Sequence, residues 1–89
     1  MPSVKTAQKT MRVKIYAPFS IYFDGLADSV SATNDTGPFD ILPRHKNFMS
    51  LIKPGNVTVR RAGQPDFSMH INQAVMHVKS DRVTVFLDV

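Results

Sequence analysis

The last third of the chain alternates apolar and polar side chains with a period of two, broken only by short turn-forming segments. That rhythm commits residues 67–87 to β-structure with one buried face. A two-residue loop at Asn72-Gln73 is expected to pair Ile71 with Ala74. This register puts Phe67, Met69, Ile71, Ala74, Met76 and Val78 on one side. The loop Lys79-Ser80-Asp81-Arg82 then pairs Val78 with Val83, and Val85 and Leu87 join the same face. A slip of one residue would scatter these nine apolar side chains. The expectation is a three-strand meander.

The earlier residues continue the pattern. Val13 and Ile15 alternate with Arg12, Lys14 and Tyr16 until Ala17-Pro18, where the missing N–H of proline ends the ladder. A second extended stretch is expected over residues 21–33, with a bulge or bend at Gly25. Residues 34–38 read as a turn and residues 39–42 as a short strand closed by Pro43. Residues 48–52 fit helical as well as strand spacing; their shortness and the following Pro54-Gly55 favour a strand. Val57 and Val59 alternate with Thr58 and Arg60, and residues 62–65 turn the chain back. Every connection is short, so parallel crossovers are expected to be excluded and all pairing to be antiparallel. The expected fold is all-β, a two-sheet antiparallel sandwich (or small barrel) of about 8–10 short strands. Residues 1–10 lack periodicity and read as a flexible tail, with one domain over 11–89.

Composition supports this reading. All seven acidic residues are Asp, and Val plus Ile number fifteen against ten for Leu plus Ala. Both biases disfavour helix and favour strand. A hydrophobic content of 43% marks a folding chain rather than a disordered one. There is no cysteine, hence no disulfide framework and no thiolate metal site. No apolar run approaches the ~20 residues of a membrane span, and no secretory signal is visible, so an intracellular chain is expected. The net charge of +4 includes Lys5 and Lys9 in the tail, so the body carries only +2. That is little for a nucleic-acid binder.

Chemistry is scarce in this sequence. His70 and His77 fall on one face of adjacent strands in the expected register, and Asp66 is the nearest third candidate for a metal site. The competing reading is that both histidines line a solvated face. His45 lies in the loop Leu42-Pro43-Arg44-His45-Lys46, near Ser50 and Asp40 in sequence, but nothing in the spacing fixes a catalytic geometry. A partner-contact loop is the other reading. The four glycines form no phosphate cradle. Arg12, Lys14, Arg60 and Arg61 could form a basic patch; with Tyr16 and Phe19 as stacking aromatics, this is the basis of an alternative, a small basic barrel binding single-stranded nucleic acid. Phe19, beside Pro18, is expected to lie exposed, and most other phenylalanines and methionines to lie in the core.

The ordered landmarks carry a more specific signal. They are Val13, Ile15 and Pro18; Phe23, Gly25, Ser29 and Val30; Gly37 with Ile41-Leu42-Pro43 and His45; Leu51 with Lys53-Pro54-Gly55; and Val83-Thr84-Val85 with Asp88. Over residues 11–89 this order resembles the N-terminal β-sandwich of the F-type ATP synthase ε subunit, the counterpart of the mitochondrial δ subunit. The resemblance implies a two-sheet sandwich and a non-catalytic rotor role. Such a domain couples the γ shaft to the polar loops of the c-ring during proton- or sodium-driven ATP synthesis. It also implies a peripheral place at the cytoplasmic face of the bacterial inner membrane, with no direct insertion, no cofactor, no metal and no nucleic acid. By position, Arg44, His45 and Lys46 would meet the c-ring loops, and Ala17, Phe48 and Ser50 would face γ. Departures from the family pattern are Gln73-Ala74 for Gly-Gly, Lys46-Asn47 for Ala-Pro, and Pro38 where an acidic ring-contacting residue is common. Asp40, where Gly is common, is therefore a further c-ring candidate. Many members continue into a C-terminal helical hairpin that inhibits hydrolysis and in some binds ATP. A chain ending at Val89 is expected to lack that brake.

Overall fold

The computed structural model describes residues 10–87. The expected tail falls on residues 1–9, outside the described residues, apart from Thr10. Nine strands follow: β1 Met11–Ala17, β2 Ser20–Ala27, β3 Ser29–Asn34, β4 Gly37–Ile41, β5 Phe48–Ile52, β6 Gly55–Arg60, β7 Phe67–Ile71, β8 Ala74–Lys79 and β9 Arg82–Leu87. They form a five-stranded sheet, β2-β1-β9-β8-β5, and a four-stranded sheet, β4-β3-β6-β7. The two sheets enclose one core. Val13, Ile15, Val30, Ile41, Val57, Val59, Met76, Val83 and Val85 are all fully or almost fully buried in it. These are the inward positions of a period-two pattern, and β-branched side chains pack well on such pleated faces.

The expected sandwich holds, but not every expected pairing does. β1 runs parallel to β9, with Ile15 opposite Val85. Short connections exclude a local parallel crossover, yet β1 and β9 are joined through the rest of the domain. The chain leaves the first sheet, builds the second and returns, which supplies the crossover length that a parallel pair needs. The expected β7–β8 hairpin is also absent. β7 pairs with β6 in the four-stranded sheet, whereas β8 pairs with β5 and β9. Residues 72–73 therefore carry the chain from one sheet to the other. Ile71 and Ala74 both still point into the core, so the face assignment survives and the pairing does not. The β8–β9 hairpin follows expectation, with Val78 opposite Val83.

The stretch over 21–33 is two strands, not one. At Asp28 the chain changes sheets, and the Asp28 N–H donates to the Arg60 carbonyl at 2.8 Å. Gly25 pairs in regular register with Val13; the irregularity lies between Ile15 and Tyr16, where Tyr22 is the extra residue on β2. The turn expected over 34–38 is confined to Asp35 and Thr36. The Asn34 side-chain carbonyl accepts from the Thr36 N–H at 2.9 Å, and Gly37 opens β4 at φ +117, a conformation that side chains with a Cβ rarely adopt. Pro38 is tolerated because β4 is an edge strand.

Candidate interaction surfaces

One end of the sandwich gathers the loop of residues 42–47, which links β4 to β5, and the β8–β9 turn. Ser80 and Asp81 form that turn at φ +52 and +61, and Arg44 adopts φ +70. None is glycine, so each position is strained by roughly 1 kcal/mol. A hydrogen bond compensates: the Arg44 N–H donates to the Asp81 carboxylate at 2.5 Å. The Asp81 carbonyl accepts from the Arg12 N–H at 2.9 Å. Asp81 thus ties the loop to both the turn and the start of β1. Within the loop, the His45 N–H donates to the Leu42 carbonyl at 3.1 Å. The His45 Nδ1–H donates to the Lys46 carbonyl at 2.8 Å, and the imidazole stands edge-on to Phe48 at 5.5 Å. Arg44 and Lys46 are exposed and His45 is half-buried. Asp81→Ala is expected to lose about 2 kcal/mol, from the charge-assisted bond and the cost of left-handed backbone without a polar side chain. At roughly 4–8 °C per kcal/mol for a domain of this size, melting should fall by about 8–16 °C. Asp81→Asn, which keeps an acceptor and tolerates that backbone, should recover most of the loss in the same thermal melt.

Asp40 lies apart from this loop, outward on β4. It accepts from the Ser31 hydroxyl at 2.5 Å, and Ser31 Oγ accepts in turn from Arg60 at 2.6 Å. Ala17 is buried at the opposite end of the sandwich. Phe48 and Ser50 point inward from β5 and are half-buried. Phe48 packs on Phe39 of β4 with ring centroids 5.7 Å apart, and Ser50 Oγ accepts from the Asn34 amide at 3.1 Å. β4 and β5 are the facing edges of the two sheets, so these contacts close the sandwich along one side.

A contiguous apolar feature was not singled out by the sequence. On the outer face of the five-stranded sheet, Ile21, Tyr16, Phe86, Val75 and Leu51 stand directly opposite one another from strand to strand. They form one row across all five strands, roughly 19 Å long at ~4.8 Å per strand. Leu51 is 63% exposed and Ile21 61%. Met49 adjoins the row, and a shallow depression of about 500 Å³ at its β1–β2 end is lined by Tyr16, Ala17, Pro18, Phe19 and Ile21. Phe19 is almost wholly exposed, as expected. Met49 and Phe86 depart from the expectation that these residue types lie in the core. The signal was present in the sequence: β8 and β9 place Val75 and Phe86 at positions where alternation calls for polar residues.

The other constellations separate. His70 and His77 project from the outer faces of different sheets, because β7 and β8 are not neighbours. Among the described residues no group of three His, Cys, Asp or Glu side chains could hold a metal. Arg12 and Lys14 lie on one sheet and Arg60 on the other, so they form no common patch. Tyr16 is covered by Phe86 at 5.1 Å and by the Lys14 ammonium at 4.9 Å. Arg61 is held by Gln64 and the Pro65 carbonyl, each at 2.9 Å. The stacking groove that single-stranded nucleic acid requires is not assembled from these residues.

Comparison with known proteins agrees with this geometry. Residues 10–89 match the family profile described as ATP synthase, Delta/Epsilon chain, beta-sandwich domain. The ATP synthase epsilon chain of Trichlorobacter lovleyi is 32% identical over 78 residues, covering 88% of this chain and 56% of that protein. That of Hydrogenovibrio crunogenus is 35% identical over 79 residues, covering 89% and 54%. The chain therefore spans little more than half the length of these relatives. Among solved structures, a chain of the Euglena gracilis mitochondrial ATP synthase superposes with a TM-score of 0.81 at 14% identity, covering 89% of this chain and 51% of that one. A chain of the Tetrahymena thermophila ATP synthase central stalk and c-ring gives 0.72 at 18% identity, covering 92% and 65%. At these identities the structural likenesses speak for the fold, while the family match covers nearly the whole sequence. This chain belongs to the ATP synthase delta/epsilon chain β-sandwich family.

Proposed function

We propose that this chain is a non-catalytic structural subunit of the central stalk of an F-type ATP synthase, coupling the γ shaft to the c-ring during proton- or sodium-driven ATP synthesis. Family membership and the relatives' names support the assignment to the complex. The observation that carries the partner assignment is the apolar row across the five-stranded sheet. Contiguous exposed apolar surface marks a protein interface, and a torque-bearing contact needs area and shape complementarity rather than chemistry. γ covers this row and laps over the β5 edge, where half-buried Phe48 and Ser50 sit at the rim. Ala17 contributes through the depression at the other end of the row. The end bearing Arg44, His45 and Lys46 faces the polar loops of the c-ring, where complementary charge fixes orientation more than affinity. Asp40 lies on the flank of that end. On this reading the chain lies peripherally at the cytoplasmic face of the bacterial inner membrane.

Mixing the folded chain with purified γ tests this reading. A one-to-one complex is expected by light scattering after gel filtration, and the pair should then retain a detergent-solubilised c-ring. A well-folded chain that binds neither would overturn the assignment.

A further inference from the structure

The end that holds the 42–47 loop carries a second feature on the outer face of the five-stranded sheet. Lys79 of β8 stands directly opposite Arg82 of β9, and Arg82 directly opposite Arg12 of β1. Like charges in such cross-strand positions repel and cost stability. Arg12 is relieved by Asp24, whose carboxylate accepts from Nη2 and Nε at 2.9 and 3.0 Å. Among the described residues, no carboxylate lies within 4 Å of the charged groups of Lys79, Arg82, Lys14, Arg44 or Lys46. Lys14 sits one row inward, opposite Asp24 and Thr84. With Arg12, Arg82, Thr84 and Asp24 it lines a depression of about 280 Å³. Three adjacent strands and the neighbouring loop thus present six cations around one end. Asp24 and Asp81 are the acids there with defined partners, and Asp81 is engaged by the Arg44 N–H.

From this arrangement we propose that the cationic end rests on the phosphate headgroups of an anionic lipid leaflet, as a peripheral contact beside the c-ring. The inference rests on the reading that the 42–47 loop faces the membrane-borne ring. The cations span several strands and a loop, an extent suited to a plane of phosphodiesters rather than to one small anion. Headgroup phosphates accept hydrogen bonds from guanidinium and ammonium groups, and the negative surface potential of the leaflet attracts each nearby cation. In an enzyme that turns, a contact of this kind must slide. Long flexible Lys and Arg side chains on mobile lipids can exchange partners without locking the rotor.

Vesicle co-sedimentation with the full chain tests the proposal. Vesicles of equal parts phosphatidylglycerol and phosphatidylcholine should bind the chain, and pure phosphatidylcholine should not. The Lys79→Gln/Arg82→Gln variant should bind the anionic vesicles about 25-fold more weakly, at about fivefold per cation. Lys53→Gln/Arg60→Gln removes the same net charge from other surfaces and should change binding by less than about threefold, since screening confines the effect to charges near the membrane. Equal weakening by both variants would reduce the effect to net charge and overturn the proposal. So would tighter binding of a single-stranded oligonucleotide than of vesicles, lost in Lys79→Gln/Arg82→Gln, or displacement by inorganic phosphate but not by chloride of equal ionic strength. γ binding, measured on the same variants, should be unchanged. A native chain that binds γ but ignores the anionic vesicles would sink this inference alone, whereas a native chain that ignores γ would sink the proposed function.

Discussion

A chain carrying Leu51→Glu and Ile21→Glu is expected to melt within a few degrees of the unaltered protein, yet to bind γ at least about 100-fold more weakly. The two effects separate because of where the side chains point. Leu51 is 63% exposed and Ile21 61% in the free chain, both outward from the five-stranded sheet. Exposed substitutions away from special features usually shift stability by no more than about 0.5 kcal/mol each. In the proposed complex the same positions lie beneath the shaft. A carboxylate buried there without a partner costs a few kcal/mol, and each 1.4 kcal/mol is tenfold in affinity, hence about 100-fold or more. Phe48→Ala should behave in the opposite sense. Its ring joins Phe39 and His45 between the sheet edges, so truncation should lower the melting temperature first. Calorimetric titration with γ, beside a thermal melt of each variant, separates the cases. Undiminished binding by the double variant would remove the outer face from the interface.

The sequence disclosed which way side chains face more fully than which strands meet. Alternation of period two marks inside and outside wherever one face is buried, which is why Ile71, Ala74, Met76, Val78, Val83, Val85 and Leu87 all lie in the core. Pairing is another matter. Residues 72–73 put Ile71 and Ala74 inward whether the chain makes a hairpin or a corner between sheets, and alternation cannot tell these apart. The parallel β1–β9 pair is a closure of the whole domain, and no local pattern encodes it. The bulge at Tyr22 was hidden for a related reason: one extra residue flips the parity of β2, so that Ile21 faces out while Phe23 faces in. The candidate site was partly legible. The loop of Arg44, His45 and Lys46 lies exposed at one end, as loops that carry recognition do. The apolar row and the cationic row escaped notice because each is assembled from single residues on separate strands. They become neighbours only through the register that the fold supplies.

That closure gives the second large effect. Ile15→Ala is expected to cost about 2–5 kcal/mol, because Ile15 is fully buried and the surrounding core cannot collapse around the missing atoms. At roughly 4–8 °C per kcal/mol the melting temperature should fall by about 8–40 °C, because a loss of about 2–5 kcal/mol is a large share of the 5–15 kcal/mol typical of a whole domain. Val75→Ala, on the same sheet but facing outward, should cost under about 1 kcal/mol. The contrast tests the facing of the strands, and a pair on the outer surface tests their adjacency. Tyr16 and Phe86 are opposite one another across the parallel β1–β9 ladder, with ring centroids 5.1 Å apart. Their alanine variants, alone and combined, should show a coupling of about 0.5–1.5 kcal/mol in denaturant unfolding. Only if β1 lies directly beside β9 can two outward rings meet, so strict additivity would argue against the parallel pair. A severe Ile15 effect combined with measurable Tyr16–Phe86 coupling would establish that the first and last strands lock together. That lock makes the five-stranded sheet continuous, and continuity is what allows five separate strands to present the single apolar surface proposed to meet γ.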